Sequence, residues 1–201
     1  MKTTNTRRKA TPEILTSDVM RRIEYIDRSL FSLQEQLHMD LFMFSYYAGG
    51  MSLQDMAHLT ADRIDGEFLN CDAIACPKCL KLRMSTQFLE ILDRYKDQVC
   101  GDYLLPIFTP KHDAQAKQEA RLKQMATSVS KTLLKIEAIT GCRGLTWHGA
   151  RQAHVDFRLR QGDSVVNLGQ MIGNTVLEVD KYYWDHPELT SRLPYGMNNI
   201  Y

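Results

Sequence analysis

The chain lacks any apolar run long enough to span a bilayer, which argues against a helical membrane span. It also lacks a signal-peptide core: Met1 leads into Lys2, Thr3, Thr4, Asn5, Thr6, Arg7 and Arg8, so the expected location is cytoplasmic. Cysteine is sparse and odd in number. Cys71, Cys76, Cys79, Cys100 and Cys142 do not make a secreted disulfide framework, and free thiols are the expectation. Cys76-Pro77-Lys78-Cys79 resembles half of a zinc knuckle, but no second pair exists, so no metal is expected. Charge of one sign is lacking as well. The 25 Lys and Arg against 24 Asp and Glu leave +1, which neither supports nor excludes a nucleic-acid partner. Arg7, Arg8, Lys9, Lys111, Lys117, Arg121, Lys123, Lys131 and Lys135 can form a basic face, although a solvated helix face accounts for them about as well. The ten methionines read as packing residues and imply no cofactor.

What is present is enough for one core: 201 residues, 44% of them apolar, with no internal repeat. Residues 1–10 are polar and without apolar period, so they read as a flexible lead-in or linker. Thr16-Ser17-Asp18 caps a helix carrying Val19, Ile23 and Ile26. Gln34 to Tyr47 is an apolar helix with Leu37, Leu41, Met43 and Phe44 facing the core, and Gly49-Gly50 ends it. Ser52 caps a short helix with Met56 and Leu59, since Asp55 sits three residues on. Phe68-Leu69, Ala73 to Cys76 and Leu80 to Met84 read as short strands of a small antiparallel sheet, with turns at Asp65-Gly66 and Pro77. Thr86 to Lys96 is helical. After a loop at Pro106 and Pro110, Lys111 to Thr140 forms a long helix with Leu122, Met125, Val129, Leu133 and Ile136 buried, and Gly141 as its C-cap. His148 to Gln161 is a helix ended by Gly162, followed by helices over 164–172 and 177–184 and a tail over 187–201. The fold class is mainly α with a small antiparallel β-sheet (α+β).

The chemistry lies late in the chain. His148-x-x-Arg151 at a helix start puts an imidazole and a guanidinium one turn apart on one face. An imidazole moves protons near neutral pH, a guanidinium grips two oxygens of a phosphate, and a downstream tyrosine can act as a nucleophile. His, Arg and Tyr in that order point to phosphoryl transfer on a nucleic-acid backbone. Read without that context, His148 and Arg151 are a helix-start histidine and a surface arginine, and Tyr183 is a core aromatic; His154, one turn past Arg151, reads as a packed or hydrogen-bonded side chain.

Over residues 9–185 the chain resembles the catalytic domain of the tyrosine recombinases, or phage-type integrases, in particular the conjugative-transposon branch. The resemblance rests on Leu41 to Tyr47, Gly50-Met51-Ser52-Leu53-Gln54-Asp55-Met56-Ala57, Tyr103-Leu104-Leu105-Pro106-Ile107, the His148 and Arg151 box, and Ile172-Gly173-Asn174 before Tyr183. It implies a tyrosine-recombinase catalytic-domain-like fold over 11–186. It implies that Tyr183 attacks a DNA phosphate to leave a 3′-phosphotyrosine link without any metal or cofactor. Arg151 matches the second phosphate-clamping arginine and His148 its paired histidine. Lys78 matches the hairpin lysine that protonates the leaving 5′ oxygen, with Lys81 as its rival, and Tyr182 is the rival nucleophile. The implied partners are double-stranded DNA and further copies of the chain, assembled on DNA as a synaptic tetramer.

Three departures shape the expected activity. Ser52 stands where most of the family has the first clamp arginine. The transposon branch often has serine there with an arginine slightly upstream, a place held here by Gly49. Asn174 stands where the third box has histidine or tryptophan, and an amide cannot take a proton. His186, just past Tyr183, is a candidate substitute. The domain that embraces the other side of DNA has no counterpart in these residues, so duplex binding is expected to be weak and salt-sensitive. The expected function is site-specific recombination or integration at a reduced rate. The alternative is a catalytically degenerate DNA-binding or assembly module that keeps the integrase fold.

Overall fold

A computed structural model describes residues 15–71 and 80–163. Among these, six α-helices and a three-stranded sheet are present: α1 (Ser17–Glu24), α2 (Leu33–Tyr47), α3 (Leu53–Ala57), β1 (Ile64–Asp65), β2 (Phe68–Cys71), β3 (Leu80–Arg83), α4 (Thr86–Tyr95), α5 (Gln115–Thr140) and α6 (Trp147–Arg160). The expected α+β class is the one observed. The expected strand over 73–76, the helices over 164–172 and 177–184, and the tail lie outside the described residues.

The centre of the fold is α2. Ser32 begins it with a full capping box: its hydroxyl accepts from the Glu35 N–H, and the Glu35 carboxylate accepts from the Ser32 N–H. From His38 to Tyr46 every residue is buried, around the whole circumference rather than along one stripe. A helix that is apolar all round needs neighbours on all sides. It has them: α6, α5, α4 and α3 pack against it, and α1 closes over α6 and α5. The rings of Phe44 and Phe88 lie 4.2 Å apart where α2 meets α4. On α5 the stripe Met125, Val129, Leu133 and Ile136 is buried as expected, with Thr132 added and Leu122 only half-buried. The long helix begins at Gln115, four residues later than its polar start suggested.

Two buried polar groups fix helix to helix. His38 on α2 is paired with the Thr132 hydroxyl on α5 at 2.8 Å. Asp40 takes both guanidinium nitrogens of Arg28 at 2.8 and 2.7 Å, Arg94 at 2.7 Å and the Tyr95 hydroxyl at 2.6 Å. Burial alone would raise the Asp40 pKa, but the hydrogen bonds from Arg28, Arg94 and Tyr95 outweigh it and hold the carboxyl below its ordinary value.

The sheet is antiparallel in the order β1-β2-β3. Gly66, at φ 60°, allows the tight turn between the first two strands. β1 is a strand that the sequence did not reveal, because two residues carry no readable alternation. Leu69 pairs with Leu82, both buried, while Lys81 and Arg83 point to solvent. The segment before Pro106 is tied back by the Leu104 N–H to the Leu59 carbonyl at 2.9 Å, which buries Leu105 and Ile107.

Candidate functional site

The Thr146 hydroxyl opens α6 by accepting from the Gly149 N–H at 3.2 Å. This places Trp147 and His148 on the first turn and Arg151 one turn in. The first turn is gripped from both sides. A Cβ on Gly149 would lie 2.2 Å from the Leu15 side chain, so the glycine makes room for Leu15. On the other side runs the connection from α2 to α3.

That connection turns on Gly49 and Gly50, at φ 72° and 78°, values that favour glycine. The Gly50 N–H donates to the Ser45 carbonyl at 2.7 Å. The Met51 carbonyl accepts twice, from the Ser45 hydroxyl at 2.7 Å and from the Trp147 indole N–H at 3.3 Å. A Cβ on Gly50 would lie 2.3 Å from the Arg151 Cβ and 2.4 Å from its Cα. The glycine therefore lets the turn seat directly on the backbone that carries Arg151. One helical turn further along α6, the His154 Nδ1–H donates to the Tyr46 carbonyl at 2.8 Å. Burial drives the His154 pKa down to about 4, against a smaller upward effect of that hydrogen bond, so the ring is neutral near pH 7. His154 is thus the packed, hydrogen-bonded side chain expected of it.

Arg151 is half-buried and His148 exposed. Neither side chain makes a hydrogen bond or ion pair with any described residue. Further along α6 the arginines are occupied: Arg158 pairs with Asp163, and Arg160 lies 2.9 Å from Asp156. Ser52 follows two residues after Gly50, the residue that lies against Arg151. The Ser52 hydroxyl is already engaged as the N-cap of α3. It accepts from the Asp55 N–H at 3.1 Å and donates to the Asp55 carboxylate at 2.6 Å. The sequence anticipated this cap. Lys81, the rival hairpin lysine, projects from β3 into an exposed pair with Asp65 at 3.0 Å. Lys78, Asn174, Tyr182, Tyr183 and His186 lie outside the described residues, as do Cys76 and Cys79. Cys142 is a buried and Cys100 a half-buried free thiol.

The roles of Gly50 and Trp147 were not visible in the sequence. The glycine pair read only as a helix breaker, and nothing local says which helix a turn will press against. The one available signal was the doublet itself, since a single glycine suffices to end a helix.

No protein-family model matches the sequence, and no curated protein matches it. Solved structures do match. The crystal structure of XerA recombinase superposes with a TM-score of 0.57 at 16% identity, covering 90% of this chain and 66% of that one. The crystal structure of a lambda integrase dimer bound to a COC′ core site superposes with a TM-score of 0.56 at 14% identity, covering 87% of this chain and 48% of that one. The chain therefore spans about two thirds of the first and about half of the second. At these identities the likeness is one of architecture: the chain has a tyrosine-recombinase catalytic-domain-like fold.

Proposed function

We propose that the chain binds double-stranded DNA and breaks and rejoins it by tyrosine chemistry, as a recombinase or integrase of the conjugative-transposon type with a reduced rate. The observation that carries this reading is Arg151. In a recombinase-like fold its backbone is seated on the Gly50 turn, and its guanidinium has no partner among the described residues. Five N–H donors held that way suit a phosphodiester.

In this reading the Tyr183 hydroxyl gives up its proton to His148 or water as its oxygen attacks the phosphorus; the O–P bond forms and the P–O5′ bond breaks. Lys78, or Lys81 from its exposed pair, delivers the proton that the 5′ oxygen takes up. Arg151 binds the non-bridging oxygens, His148 shares a proton with the phosphate, and Asn174 offers an amide hydrogen bond. The product is a 3′-phosphotyrosine link, which the 5′ hydroxyl of a second strand reverses. Further copies of the chain would assemble on the DNA, as a tetramer in the recombining complex.

A nicked suicide duplex run on a denaturing gel tests the chemistry. Slow accumulation of protein-linked DNA is expected, and Tyr183→Phe should abolish it. An adduct that survives Tyr183→Phe overturns the assignment of the nucleophile and points to Tyr182.

One observation favours a second reading, a DNA-binding or assembly module that has lost catalysis. The first clamp position offers no cation: Gly49 has no side chain, and the Ser52 hydroxyl proton goes to Asp55. Losing one donor to a transition-state oxyanion costs about 3–4 kcal/mol, or several hundredfold in rate. No adduct from the parent chain or from Ser52→Arg would establish this second reading.

A further inference from the structure

We infer that Gly50 and Trp147 are positioning residues for Arg151. They set where its guanidinium stands without touching DNA themselves. The inference rests on the reading of Arg151 as a phosphate ligand and adds how the fold aims it.

Two observations carry it. The first is the absence of clearance between Gly50 and Arg151. The atoms that a Cβ at position 50 would meet are the Cα and Cβ of Arg151, at 2.4 and 2.3 Å, with Cγ at 2.7 Å. Two of these three are the root of the side chain and cannot swing away as a flexible tip would. An alanine at position 50 must therefore push the Arg151 backbone, or the turn must retreat. Its φ of 78° adds strain for any residue with a Cβ.

The second is the latch on the next residue. The Met51 carbonyl receives one donor from α2, the Ser45 hydroxyl, and one from α6, the Trp147 indole. Trp147 lies four residues before Arg151 on the same helix face. The indole thus ties the first turn of α6 to the same peptide segment that presses on Arg151. The Trp147 ring also meets Phe42 of α2 edge-on, with centroids 6.4 Å apart, which fixes the direction of its N–H. A contact without slack and a hydrogen bond one residue away fix the point and direction from which the Arg151 side chain leaves the helix. That is how a single arginine can hold a phosphate in register where the first clamp position has no cation.

A double-mutant cycle in the full chain tests this, read as the affinity for a fluorescently labelled duplex at one fixed salt concentration. Arg151→Ala should weaken binding about tenfold, the size of one charge-assisted phosphate contact. Gly50→Ala alone should lose nearly the same factor, and Trp147→Phe, which keeps the ring and removes the N–H, about threefold. Placed on top of Arg151→Ala, either change should shift affinity by less than about twofold, because the group it aims is gone. Losses of equal size with and without Arg151 would show a purely structural role and overturn the inference. Should Gly50→Ala fail to fold by circular dichroism, Trp147→Phe alone decides the matter. Affinity unchanged in Arg151→Ala would overturn the phosphate role of Arg151 and the positioning with it. Arg151-dependent affinity with no coupling overturns the positioning alone.

Discussion

Two places in this molecule anchor arginines, one on Asp40 of α2 and one on the Gly50 turn that follows α2, and they differ in one respect. Around Asp40, two guanidiniums and a tyrosine hydroxyl converge on one buried carboxylate, and both of its oxygens are taken. At the start of α6, Arg151 is seated as firmly at its root, yet its guanidinium meets no described partner. The first arrangement is complete in itself and joins α2 to α4 and to the short 3-10 turn before α2. The second is complete only at its base, and its charged end is left for something else. A saturated cation cluster belongs to the fold, whereas an anchored but unsaturated cation is a candidate ligand-binding group.

The most severe way to break this contrast is Asp40→Ala. Removing the carboxylate leaves the Tyr95 hydroxyl buried without its acceptor and two arginines without their anion. Breaking a buried pair costs about 3–5 kcal/mol, and the lower end applies because both arginines can turn to water. Chemical denaturation should show a loss of about 3 kcal/mol, and a loss below about 1 kcal/mol would remove Asp40 from its structural role.

Acid is the next lever. His154 has a folded pKa of about 4, against about 6.5 in an unfolded chain. Below pH 6.5 the unfolded state takes up a proton that the folded state refuses, so stability is full above that pH and falls as pH drops towards 4. The total loss is about 3 kcal/mol, of which about 2 is gone by pH 5. Asp40 acts lower. Its carboxyl is held below the ordinary range, so its contribution is present above about pH 3.9 and is lost as pH falls through the folded value. Melting curves from pH 7 to 4 should show the first decline, and His154→Gln should flatten it between pH 6.5 and 5.

Arg151→Ala sharpens the contrast from the other side. It should cut duplex affinity about tenfold while lowering stability by less than about 1 kcal/mol, mostly from the stem that covers Gly50. A stability loss as large as that of Asp40→Ala would place Arg151 among the structural arginines. The smallest effect is Ser52→Ala. It should cost about 1 kcal/mol as a lost N-cap and leave duplex affinity unchanged, because the hydroxyl proton is committed to Asp55. A clear affinity loss would show that Ser52 exchanges that partner for the phosphate.

Much of this was legible in order along the chain. Ser52 with Asp55 three residues on, the glycine doublet after Tyr47, Gly141 at φ 72° and Gly162 at φ 92° are local signals, and each appears where local chemistry placed it. The His148 and Arg151 spacing needed only the period of a helix. Thr16 was a partial success: α1 begins after it, but its side chain makes no cap hydrogen bond. β1 was illegible, because it exists through pairing with β2 and carries no pattern of its own.

The sequence by itself determined the described helices, several of their ends, two of the three strands and the residue types able to meet a phosphate. These depend on interactions over a few residues, and such interactions are written in order. Only the tertiary structure decided that α2 is enclosed on every side, that Asp40 gathers Arg28, Arg94 and Tyr95, and that Gly50 lies against Arg151, 101 positions later. Those pairings come from how apolar faces pack and which buried polar groups find partners. Both are settled by the whole chain at once, since a glycine in a turn and an arginine on a helix carry no mark of each other until the core brings them together.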